Sequence, residues 1–289
     1  MNTIQSPIVK ASLWMLVALA SFSLMAVAGK ELAKNIGTAE ILFFRSLIGF
    51  LILSIVVSVV GIENIKSTSI KKHIARNASH FIGQYGWFYG IAFIPLAEVF
   101  ALEFTVPIWT AIAATILLNE TITKIRIISI ALGLLGVLII LRPTVEIIHP
   151  AAIVVIVGAM AYGLAHTLTR SIVKHDSPLS VLFYMCLIQL PVGLLLTFSD
   201  WVMPIGIMWF WLLIVGGTAL SAHYGMSKAL SYADAMVVVP MDFLRLPLIM
   251  LVGLYFYNES IEGLLLLGAS IMLLGNFLNI KHERIKANT

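Results

Sequence analysis

An apolar run that carries an acid in its interior sets the first limit on this chain. The segment from Leu96 to Glu120 is long enough as a helix to cross roughly 30 Å of hydrocarbon, yet Glu103 lies inside it. An ionisable side chain at that depth costs roughly 2.5–3.5 kcal/mol on insertion scales. The feature also recurs downstream. Glu103-Phe104 returns as Asp242-Phe243 and Asn119-Glu120 as Asn258-Glu259, each 139 residues on, while Pro107 returns as Pro247, 140 residues on. An expensive acid-aromatic pair repeated in register marks the functional centre of the chain.

The rest of the composition agrees with a membrane setting. The 289 residues are 60% hydrophobic and only 11% charged, where a soluble globule carries about 25% charge. The formal charge of +4 does not point to nucleic acid, because the Lys and Arg sit in short loops between apolar runs, where they determine topology. The single cysteine, Cys186, excludes an internal disulfide. No zincin, nucleophile-elbow, P-loop or dinucleotide pattern is present, and His80, His166 and His223 are scattered along the sequence. The expectation is therefore a protein that is not an enzyme and carries no cofactor and no metal. Lys10 with the apolar run up to Ala28 imitates a secretory signal, but its match to an internal segment at offset 140 favours a retained first helix.

Ten apolar stretches can be counted, at about 11–29, 40–60, 76–95, 97–118, 125–141, 151–169, 178–198, 206–230, 233–257 and 263–280, with Pro95 and Asp234 marking the closest divisions. The segment from Leu42 to Ile48 matches Leu182 to Ile188, Tyr85-Gly86 matches Tyr224-Gly225, and Gly136 matches Gly275. The fold class expected is an all-α integral membrane protein of ten transmembrane helices, built as two five-helix repeats over residues 1–145 and 146–289. An odd number of spans per repeat inverts the second relative to the first. With both termini in the cytoplasm, the inner segments hold twelve cations, including Arg76, Lys124, Arg126 and Arg170, against Lys30, Lys34 and Arg142 outside; this fixes the expected orientation.

Seven residues are candidates for substrate binding or coupling. Counting helical rise from the Asn-Glu ends puts Glu103 nearer the outside and Asp242 nearer the inside, as two gates around one cavity. Arg245, three residues beyond Asp242 on the same helix face, either only neutralises that acid or binds a substrate anion. Arg45, whose repeat counterpart is Met185, either binds a carboxylate or pairs with Glu40 or Glu98. Tyr85 and Tyr224 occupy matching positions beside Gln84 and His223, and His223 is a candidate proton carrier. Pro107, Pro240 and Pro247 interrupt helices beside these charges. The small-residue steps at Gly86 and Gly225 read as close helix packing.

With its five-plus-five repeat, the acid-aromatic-x-x-Pro segment ahead of Asn-Glu, and the glycine-rich fifth helix from Ala131 to Gly136, the sequence resembles the EamA family of the drug/metabolite transporter superfamily. That resemblance implies a helix basket in a bacterial inner membrane, with the third, fourth, eighth and ninth spans around the cavity and the fifth and tenth peripheral. It also implies a structural role for Glu120 and Glu259. The function expected is secondary transport, by alternating access, of a small polar and zwitterionic metabolite, an amino acid or a derivative such as S-adenosylmethionine. An exporter of drugs or of other metabolites such as riboflavin is the alternative. The partners expected are a small-molecule substrate and membrane lipid; proton coupling and a homodimer stay open.

Overall fold

Helix ends fall where proline, glycine and hydroxyl side chains put them. The computed structural model describes residues 6–94, 96–141, 149–198, 201–245 and 263–286. Pro95, Arg142, the boundary drawn at 145–146, Pro247, Asn258-Glu259 and much of the ninth span lie outside them. Helix α1 (Pro7–Leu32) opens on proline, which suits a first turn that has no use for the missing N–H. Helix α2 (Thr38–Val60) is stopped by Gly61 at φ 94°, a conformation that glycine adopts without strain. After α3 (Ile70–Phe93) come two short helices, α4 (Leu96–Glu103) and α5 (Val106–Leu118), and then α6 (Lys124–Leu141).

Helices α7 (Pro150–Ile172) and α8 (Pro178–Thr197) also start on proline, and the Ser177 hydroxyl caps α8 by accepting the Ser180 N–H. Helix α9 (Met208–Tyr232) leads into a single turn, α10 (Ala235–Val238), a 3₁₀ segment (Val239–Leu244) and finally α11 (Gly263–Lys286). By length and composition α1, α2, α7 and α8 are each apolar enough to cross a membrane. The surface agrees: Ile55, Val59, Ile116 and Leu195 are among the large apolar side chains left exposed, which lipid accepts and water does not.

The fourth span is broken, and the reason is local. Pro107 cannot donate to the Glu103 carbonyl, so the ladder lapses at Phe104-Thr105 and restarts at Val106. At the far end of α5, Asn119 takes the left-handed conformation, φ 54°, and ends the helix. The ninth span is irregular at the matching place, with Pro240 and Asp242 inside the 3₁₀ segment. Both repeated acids therefore sit where regular helix gives out.

Helix pairing is reciprocal. The closest partners are α1 with α9 and α3 with α7, followed by α6 with α11 and α2 with α8. The offset that relates the repeats exchanges the first pairing with the second and returns each of the other two to itself. A Cβ on Gly86 would come within 2.6 Å of the Val154 carbonyl on α7, and one on Gly225 within 2.8 Å of the Trp14 carbonyl on α1. Matching glycines thus let matching crossings approach backbone to backbone, as the packing reading of those steps expects.

Candidate functional site

Three charged side chains meet where the two irregular spans cross. The Arg245 Nη2 lies 2.6 Å from Glu103 Oε2 and 2.9 Å from Asp242 Oδ2, and Trp87 Nε1 donates to the same Glu103 oxygen at 2.7 Å. The Arg245 guanidinium is buried and lies over the rings of Phe100 (5.0 Å), Phe22 (5.4 Å) and Phe104 (5.9 Å), a desolvated setting in which cation–π attraction contributes. Two carboxylates share one guanidinium, so the cluster carries an excess of negative charge when all three are ionised. Asp242 Oδ1 and Arg245 Nε have no partner among the described residues. In a low-dielectric interior those open valences are unstable unless something else can meet them.

This corrects the placement of the two acids in opposite halves of the membrane. Rise along an uninterrupted helix overstates their separation, because both spans break beside the acid and both acids reach the same nitrogen. Around them lies a cavity of about 20 Å³ lined by Phe22, Met25, Trp87 and Met226 together with Tyr162, His166 and His223. That volume holds about one water molecule.

Of the seven sequence candidates, Glu103, Asp242, Arg245 and His223 line this cavity. Arg45 lies in an adjoining buried network: its Nη1 donates to Gln84 Oε1 at 2.6 Å, and Gln84 in turn contacts His80 and Gln189. It does not pair with Glu40, whose carboxylate accepts the Val202 N–H at 3.2 Å, and the Glu98 side chain lies outside the described residues. Tyr85 and Tyr224 turn away. Tyr85 stacks on Tyr89 and Tyr224 packs edge-on against Trp14, because each is one residue, hence about 100° of helix, beyond the inward-facing Gln84 or His223.

Trp87, Tyr162 and His166 were not singled out from the sequence. Their signal was helical spacing: Trp87 is three residues on from Gln84 and seven from His80, and His166 is four from Tyr162 on a helix rich in glycine and alanine. Arg76, counted as a loop cation, is instead buried on α3, where Nη1 donates to Asn77 Oδ1 at 2.7 Å and Nε to Thr169 Oγ1 at 3.2 Å.

A second set of charges ties the helix ends together at the C-terminal end of α7. Asp234, between α9 and α10, binds Arg126 of α6 at 2.9 Å and Arg170 of α7 at 3.1 Å. Glu120 accepts the N–H groups of Ala235 (3.1 Å) and Met236 (3.2 Å), closing the first turn of α10. That is the structural duty expected of the terminal acid. Asp176, between α7 and α8, accepts from Ser67 and from Thr68, and lies 3.0 Å from His73 Nε2. Burial alone would raise the carboxyls of Asp176 and Asp234. Hydrogen bonds from Ser67, His73 and Thr68 to the first, and the guanidiniums of Arg126 and Arg170 beside the second, outweigh it and hold both below the ordinary aspartate range. Glu120 goes the other way, pushed up by burial and by the neighbouring charge of Asp234.

A helix basket with broken spans meeting at a charged cavity is the construction of a membrane transporter. The chain belongs to the EamA-like transporter family, whose model matches residues 9–142 and again 149–281, and it is a multi-pass membrane protein. Among similar proteins, the S-adenosylmethionine uptake transporter of Rickettsia prowazekii (strain Madrid E) is 25% identical over 271 residues, covering 94% of this chain and 92% of that protein. The riboflavin transporter of Vibrio cholerae serotype O1 is 27% identical over 271 residues, covering 92% of this chain and 91% of that protein. A solved crystal structure shares the fold with a TM-score of 0.78 at 15% identity, over 93% of this chain and 95% of the other.

Proposed function

We propose that this chain is an inner-membrane secondary transporter for a small zwitterionic metabolite of the S-adenosylmethionine class, working by alternating access between two inverted five-helix halves with both termini in the cytoplasm. The observation that carries the reading is the sharing of one guanidinium by two repeat-related acids at a buried cavity. An ammonium or sulfonium entering there competes with Arg245 for Glu103 and Asp242, so loading can shift the balance between two arrangements of the broken spans.

The inverted halves, divided near residue 145, are supported by the reciprocal helix pairing and by repeat-equivalent positions that touch: Phe104 against Phe243 (5.4 Å) and Arg45 against Met185 (3.9 Å). The two stretches matched by the family model fall on either side of that boundary. A riboflavin-type substrate is the second reading, favoured by the relative from Vibrio cholerae. The test is counterflow in proteoliposomes loaded with S-adenosylmethionine or with riboflavin, run with and without a pH gradient. Saturable exchange of S-adenosylmethionine is expected, and the gradient separates proton coupling from simple exchange. Exchange of riboflavin alone overturns the zwitterion.

A further inference from the structure

The acids of the cavity account for the cationic end of a zwitterion and leave its anionic end without a partner. Beside the cavity, two buried guanidiniums have no acid of their own among the described residues. Arg45 and Arg76 are each 2% exposed, and neither has a carboxylate partner among the described residues. Among the described residues Arg45 is satisfied only by the Gln84 amide oxygen at 2.6 Å and by the Met185 sulfur at 3.9 Å, a weak acceptor, and its Nε has no partner there.

The two arginines are the ends of one chain of polar side chains. Gln84 donates to Gln189 Oε1 at 3.2 Å, Gln189 donates to Asn77 Oδ1 at 3.3 Å, and Arg76 donates to that same oxygen at 2.7 Å. Every link is neutral, so the chain spreads two positive charges without cancelling either. It reaches the cavity wall through two imidazoles: His80 contacts Gln84, and its ring lies 4.5 Å from that of His223, a cavity-lining residue whose Nε2 is buried without a partner among the described residues.

Resting on the proposed function, the geometry points to Arg45, backed by Arg76, as the carboxylate subsite of the transporter. The substrate carboxylate replaces the Gln84 amide oxygen on the Arg45 guanidinium while its cationic group engages Glu103 and Asp242. An oxyanion makes charge-assisted, fork-matched hydrogen bonds that an amide oxygen cannot equal, which gives the exchange a direction. Met185, the repeat counterpart of Arg45, cannot do this, so the subsite belongs to one half only.

The test compares S-adenosylmethionine with its decarboxylated analogue, which keeps the sulfonium and lacks the carboxylate, as competitors of labelled S-adenosylmethionine counterflow. Wild-type protein is expected to discriminate between them by about 10-fold or more. Arg45→Gln is expected to weaken S-adenosylmethionine to the level of the analogue and to leave the analogue unchanged. Arg45→Gln with wild-type discrimination overturns the subsite, as does a wild-type protein that treats both compounds alike. Wild-type protein that exchanges neither compound overturns the proposed function beneath it. Should Arg45→Gln not yield folded protein, Arg76→Gln carries the test. A loss of discrimination of about 3-fold is then expected, and none overturns the subsite.

Discussion

Two groups of acids in this molecule are built on opposite principles. At the end where α7 finishes, Asp234 and Asp176 each collect several donors from separate elements, and Glu120 caps α10 with both oxygens. At the centre, Glu103 and Asp242 divide a single guanidinium, and Asp242 keeps one buried oxygen without a partner among the described residues. The first arrangement lowers the energy of one conformation. The second leaves charge under-satisfied, so the difference separates acids that hold the helices together from acids that, under the proposed function, change partners when a ligand enters.

The sharpest break in that comparison is Arg245→Met, which leaves two like charges facing each other without a counter-ion. Removing one partner of a buried ion pair costs about 3–5 kcal/mol, so a transport loss of about 100-fold or more and a clear fall in thermal stability are expected from counterflow and detergent-phase unfolding. Asp234→Asn comes next: it releases Arg126 and Arg170 together, and its effect should appear as a lower unfolding temperature, with substrate affinity largely kept. An affinity loss as large as the stability loss would merge the two groups.

Acidification separates them more gently. The carboxyls of Asp176 and Asp234 are held below their ordinary value in the folded protein, so the stability they contribute is fully present above the unfolded-state value of about 3.9. It is lost as pH falls through their lower folded values. Glu120, shifted upward, has the opposite sign and offsets part of that loss. Thermal unfolding followed from neutral pH downward should therefore stay nearly flat until about pH 4 and then drop, and Asp176→Asn should flatten the drop. The smallest effect is expected for Tyr224→Phe, whose ring packs against Trp14 away from the cavity; transport within about 2-fold of wild type is expected.

Much of this architecture was legible in the residues. Apart from the ninth, much of which lies outside the described residues, the apolar stretches became helices, and the acid-aromatic-x-x-Pro segment announced the break that Pro107 makes. Asn119-Glu120 proved to be one device, a left-handed stop followed by an acid that reaches across to the start of α10. What one-dimensional reading could not supply was convergence. A helix interrupted at its acid no longer keeps rise proportional to residue number, so Glu103 and Asp242 were placed apart although they meet. Arg76 was read as a loop cation because its neighbours Lys71 and Lys72 are polar, yet α3 begins at Ile70 and carries it inside. Tyr85 and Tyr224 matched in register, but register alone does not say which of two adjacent residues faces inward.

The most direct test of the shared-guanidinium centre is the counterflow rate of Glu103→Gln and Asp242→Asn in proteoliposomes holding S-adenosylmethionine, alongside their thermal unfolding. Exchange slower by about 10-fold or more in each variant, with unfolding close to wild type, is the predicted result. Wild-type exchange in both variants at every pH tried would contradict it.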